Sequence, residues 1–135
     1  MRVARVSVLV AATCLIGGCG TSERQQVQSK VEQFAKAAAS KDYKTICQQV
    51  LAPVLLDRLA AGGIRCEQAM RIALASVKAP SLSIGRITVK GSQASVITLT
   101  AAAGQQASLD AIELVKTGAG WRISSLGAPV LPGKG

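Results

Sequence analysis

Leu82-Ser83-Ile84-Gly85-Arg86-Ile87-Thr88-Val89-Lys90-Gly91-Ser92-Gln93-Ala94-Ser95-Val96-Ile97-Thr98-Leu99-Thr100-Ala101 is the stretch on which the fold turns. Two runs rich in β-branched residues, 82–90 and 93–101, flank Gly91-Ser92, a pair suited to a tight turn, and this predicts a hairpin. Leu82 and Ile84 share one alternating phase, whereas Ile87 and Val89 share the other. A strand keeps all four on one face only if it slips, so a bulge is expected at Gly85-Arg86. Residues 107–116 and 121–126 continue the pattern, after a connection containing Ala102-Ala103-Gly104 and after Thr117-Gly118-Ala119-Gly120. Short strands joined by glycine-bearing connections predict an antiparallel meander of about four strands. Asp110 and Glu113 fall on opposite phases of the third, so only one can face inward.

Upstream of Pro80 the period changes. Val27, Val31, Phe34 and Ala38 recur at helical spacing, and Glu32 with Lys36 adds an i,i+4 pair on another side. Ser40-Lys41-Asp42 breaks that helix, and Asp42 suits the cap of the next, which carries Tyr43, Ile46, Cys47, Val50 and Leu51 on its stripe. Pro53 opens a third helix over 53–61, stopped by Gly62-Gly63. Cys66, Ala69, Met70, Ala73, Leu74 and Val77 trace a fourth, ended by Ala79-Pro80. Helices first and strands after predict an α+β fold: N-terminal helices packed on a curved C-terminal antiparallel sheet, one domain over 27–126. Residues 127–135, with two prolines and three glycines, read as a flexible tail.

The core has little aromatic material, since Phe34, Tyr43 and Trp121 are the only aromatic residues. Ala, Val, Leu and Ile must fill the interior, which leaves room for a cavity or for close helix packing. The chain is basic, with a formal charge of +9. Most of its cations are scattered and none is interleaved with aromatics, so they read as a solvated basic surface and no nucleic acid partner is expected. On a tethered protein such a surface favours anionic headgroups or acidic wall polymers.

The first nineteen residues resemble a bacterial lipoprotein signal. Arg2 and Arg5 precede an apolar run at 6–16, and Ile16-Gly17-Gly18-Cys19 follows. The run is about half the roughly 20 residues that a membrane span needs. The resemblance implies removal of 1–18, lipid attachment at Cys19 and a lipidated tether at 19–26, with the formal charge falling to +7 once Arg2 and Arg5 leave. Several acyl chains on one residue meet the requirement for stable anchoring. The protein is then expected at the cell envelope, on the extracytoplasmic face of a membrane. Cys14 departs with the leader, which leaves Cys47 and Cys66; in an exported domain this pair is most simply a disulfide. No metal is expected, because the chain has no histidine and two thiols do not complete a site.

A second resemblance covers about residues 24–127. Val31-Glu32-Gln33-Phe34-Ala35, Lys41-Asp42-Tyr43, and Leu114-Val115-Lys116 followed by Gly120-Trp121-Arg122-Ile123 look like the nuclear-transport-factor-2-like superfamily. Its members pack helices into the concave face of a curved sheet, and its enzymes place a carboxylate base with Tyr, His or a second acid inside the cone. This chain departs from that pattern. It has no histidine, no serine elbow and no phosphate loop. Asp110 with Tyr43 is the one acid–base pairing it offers, and a surface acid and a core tyrosine are the plainer reading of the two. Trp121 reads as a core plug or a stacking platform. The resemblance implies a non-catalytic binding or accessory module without cofactor. Phe34, Tyr43, Asp110 and Trp121 are candidates to line a pocket for a small apolar ligand or an envelope partner. Two alternatives stay open: an isomerase- or dehydratase-like enzyme with Asp110 as base, and a structural homodimer paired through the sheet's open face.

Overall fold

The computed structural model describes residues 21–127. The expected leader at 1–18, Cys19 and residues 128–135 of the expected tail lie outside the described residues.

Helix α1 (Glu23–Ala39) begins at a capping box. Ser22 Oγ accepts from the Gln25 amide at 3.2 Å, and Gln25 Oε1 accepts from the Ser22 amide at 3.1 Å. This satisfies two backbone donors that a helix start leaves free. Residues 23–26 are therefore helical, and the stretch expected as tether is shorter than residues 19–26. Their all-polar turn adds nothing to the apolar stripe, so periodicity alone missed it. Val27 and Val31 are fully buried beyond that turn. Glu32 accepts from Gln28 Nε2 at 2.8 Å rather than pairing with Lys36. The helix stops where Lys41 adopts a left-handed φ of 55° and the Asp42 amide reaches back to the Ala37 carbonyl at 2.8 Å.

Asp42 caps α2 (Tyr43–Thr45), accepting from the Thr45 amide at 3.0 Å. The helix continues as one π turn, Ile46–Val50, closed by the Leu51 amide on the Ile46 carbonyl at 3.0 Å. The wider turn buries Ile46, Cys47 and Val50 together. Leu51 then extends and bridges Ile123 in parallel, while the Ala52 amide donates to the Ile123 carbonyl at 2.7 Å. Helix α3 (Pro53–Ala61) has the expected bounds. Helix α4 (Cys66–Ala73) ends four residues before Val77, and Leu74 to Ser76 form turns.

Strands β1 (Ser81–Lys90), β2 (Gln93–Ala101), β3 (Ser108–Thr117) and β4 (Gly120–Ser125) form one antiparallel meander in the order β1-β2-β3-β4. Strand β4 lies at an edge, and the Leu51-Ala52 contact covers part of it. The register jumps from Ile84↔Thr98 to Ile87↔Val96, so Gly85 and Arg86 together face Ile97. A Cβ at Gly85 would lie 3.1 Å from the Ile97 carbonyl oxygen, which favours glycine in the bulge. The bulge turns both Ile84 and Ile87 inward, as the phase slip implies.

The concave face carries Ala94, Val96 and Thr98 of β2, Ile112 and Leu114 of β3, and Trp121 and Ile123 of β4, all buried. Against them pack Val27, Val31, Ile46 and Val50. Asp110 shares the inner phase with Ile112, and Glu113 faces outward, where it accepts from Ser95. On the convex face Leu99 and Leu109 are directly paired and exposed.

Cys47 and Cys66 form a disulfide with Cα atoms 5.9 Å apart, joining the π turn to the start of α4 across 19 residues of sequence. Constraining that loop in the unfolded chain contributes about 3 kcal/mol by the chain-entropy estimate. Calorimetry of a Cys47→Ser/Cys66→Ser variant should show a melting temperature lower by roughly 15 °C. Reductant should shift the parent protein by the same amount and leave the variant unmoved.

Candidate functional site

The cone is filled at one pole and hollow at the other. At the filled pole Trp121 is 2% exposed. Its Nε1 donates to Glu23 Oε2 at 2.6 Å, and Lys116 pairs with the other carboxylate oxygen. The tie joins residues 98 apart in sequence. Hydrogen bonds from Lys116 first, then Trp121, hold the Glu23 carboxyl below its ordinary pKa. Beside this tie, Lys30 Nζ donates to the Gln49 carbonyl at 3.0 Å and Arg122 Nη1 to the Gln48 carbonyl at 2.9 Å. Both carbonyls lie in the last turn of the π segment, where a helix favours positive charge. Burial first, then Arg122, pushes the Lys30 pKa down.

At the other pole the inner stripe of α1 ends in Phe34, Ala35 and Ala38, and the small side chains leave a cavity of about 240 Å³. Leu74, Val77 and Leu82 supply further apolar walls. Thr100 and Ser108 supply a polar rim, and each donates its hydroxyl proton to Asp110, at 2.9 and 3.0 Å. Asp110 thus stands one hydrogen bond behind the rim. With their protons held there, the two hydroxyls present acceptor lone pairs to the cavity. A ligand donor such as O–H or N–H would complement them.

Of the four residues expected to line a pocket, Phe34 lines this cavity. Trp121 closes the opposite pole, and Tyr43 packs beside the core beneath the Arg71 guanidinium, 5.6 Å from the ring centroid. Tyr43 is therefore not paired with Asp110. Leu74, Val77, Thr100 and Ser108 were missed as lining residues. Thr100 was legible, because it shares the inner phase of Ala94, Val96 and Thr98. A wider depression of about 550 Å³ lies beside the disulfide, but it is polar and flanked by Arg65, Glu67 and Arg71. Among the described residues no three Cys, Asp or Glu side chains converge as metal ligands. No described helix is long and apolar enough to cross a membrane.

No family model matches the sequence, and no curated protein matches it. Solved structures do. A nuclear-transport-factor-2-like (NTF2-like) protein of unknown function from Shewanella baltica superimposes with a TM-score of 0.56 at 14% identity, covering 77% of this chain and 92% of that one. A suggested dehydratase of the NTF2-like family from Streptomyces avermitilis gives 0.55 at 20% identity, covering 81% and 96%. An NTF2-like protein of unknown function from Silicibacter pomeroyi gives 0.53 at 15%, covering 73% and 87%. The chain has the NTF2-like fold, as its motifs implied.

The Glu23 tie makes a pH prediction. A carboxyl whose folded pKa is depressed adds stability above its unfolded pKa, and that stability disappears as pH falls through the folded value. Acid titration followed by Trp121 fluorescence should show this limb below about pH 4 in the parent. Glu23→Gln should leave a weaker limb, that of Asp42, whose carboxyl the Thr45 amide and then its hydroxyl also hold below the ordinary pKa; identical acid limbs in both would contradict the tie.

Proposed function

We propose that the protein is a lipid-anchored envelope protein whose domain is a non-catalytic binding module for a small, mostly apolar molecule carrying one hydroxyl or amine donor. The observation behind this reading is the half-open cavity between Phe34, Leu74 and Leu82, with the acceptor rim of Thr100 and Ser108. Ligand sites are commonly apolar concavities with a few placed polar groups. The size bounds the ligand: about 240 Å³ lies below the ~300 Å³ at which drug-sized pockets begin. A single ring or a short acyl chain fits that space better than a fused four-ring body. Attachment at Cys19 is supported by Arg2, Arg5, the apolar run and the glycine pair before the thiol.

A second reading, an isomerase- or dehydratase-like enzyme, draws on the Streptomyces relative and on Asp110 behind the rim. Both Asp110 oxygens already accept hydroxyl protons, and no histidine exists in the chain to shuttle a proton. A general base has to reach the proton it removes, so the binding reading is preferred.

Two measurements separate these. Single-ring alcohols and amines should raise the melting temperature of the parent by several degrees. Ala35→Phe, which fills the cavity, should abolish that shift with its own stability within about 1–3 kcal/mol of the parent. If some turnover is detected, Asp110→Asn decides its origin: activity that survives the substitution rules out Asp110 as base.

A further inference from the structure

The capping box places the first described helix very close to the expected anchor. Only Gly20 and Thr21 stand between Cys19 and the cap residue Ser22. Three residue steps span at most about 11 Å even when extended. That is near the screening length of about 8 Å at physiological salt, so charges around the start of α1 would act directly on whatever surface holds Cys19.

Those charges are mostly positive. Arg24 is exposed on the first turn of α1. Lys116 reaches Glu23 from β3, and its amide donates to the Ser92 carbonyl at 2.8 Å, which brings the β1–β2 turn and exposed Lys90 alongside. Lys30 lines a groove shared with Thr21 and Gly120, on the side where the chain enters. The one carboxylate among these groups, Glu23, is already held by Lys116 and Trp121. Glu113 lies on the convex face, bonded to Ser95.

We propose that the pole bearing Arg24, Lys30, Lys90 and Lys116 seats on anionic phospholipid headgroups, so that the cavity mouth at the opposite pole faces away from the membrane. The inference rests on acylation of Cys19. Its consequence is directional: a ligand would enter from the aqueous side rather than from the bilayer. The far pole is also basic, with Lys41 after α1 and Lys78 beside the β2–β3 connection. Net charge alone therefore does not choose the orientation; the short connection to Cys19 does.

Lysine footprinting of the full-length lipidated protein tests this. The protein is reconstituted in phosphatidylcholine vesicles with and without phosphatidylglycerol, acetylated, digested and read by mass spectrometry. Phosphatidylglycerol should slow acetylation of Lys90 and Lys116 about fivefold and leave Lys41 and Lys78 unchanged. Arg24→Glu with Lys90→Glu should return Lys116 to its rate in neutral vesicles. Equal slowing at both poles, or greater slowing at Lys41 and Lys78, would overturn the seating. The same digest reads Cys19: a bare thiol overturns the anchor and the seating with it, whereas an acylated Cys19 with uniform rates overturns the seating alone.

Discussion

The docking of α1 into the concave sheet governs the rest of the structure. Its first buried residues, Val27 and Val31, join the core on the sheet's inner face, and Glu23 ties its start to Trp121 and Lys116. These contacts set the height of the helix in the cone. Farther along, the stripe passes to Phe34, Ala35 and Ala38, and the short alanine side chains leave space beside them. The cavity follows from that shortage of volume at one pole, given a helix already held at the other.

The layer behind α1 holds the same arrangement from the other side. The π turn buries Ile46, Cys47 and Val50, and Leu51-Ala52 then bonds to the edge of β4. The disulfide fastens this turn to α4, and the chain after α4 delivers Leu74 and Val77 to the cavity wall. The covalent staple and the cavity are thus parts of one layer. A domain of this size has a stability of only several kcal/mol, so a 3 kcal/mol cross-link is a large share of it.

Much of this was legible in the residues. The bulge was visible as the phase slip between Ile84 and Ile87, the bounds of α3 as Pro53 and Gly62, and the α+β order as the change of period at Pro80. Local patterns report local geometry well. The Glu23–Trp121 bond was not legible, because nothing near either residue signals a partner 98 positions away. The start of α1 escaped because a polar turn leaves no trace in a hydrophobic stripe. Leu74 and Val77 continued the α4 pattern so well that they read as helix, yet they lie beyond its end and still line the cavity. Among the pocket candidates, aromatic character singled out Tyr43 and Trp121, whereas the cavity is walled mainly by aliphatic residues.

Ligand binding requires the cone's open pole to hold an apolar space that a small molecule can enter. Crystals of the protein pressurised with xenon test it most directly, because xenon enters hollow apolar sites without needing a specific partner. A xenon atom is expected between Phe34, Leu74 and Leu82, beside the Thr100 and Ser108 hydroxyls. Density showing that space closed by side chains, with no xenon in it, would rule out a ligand site at this pole.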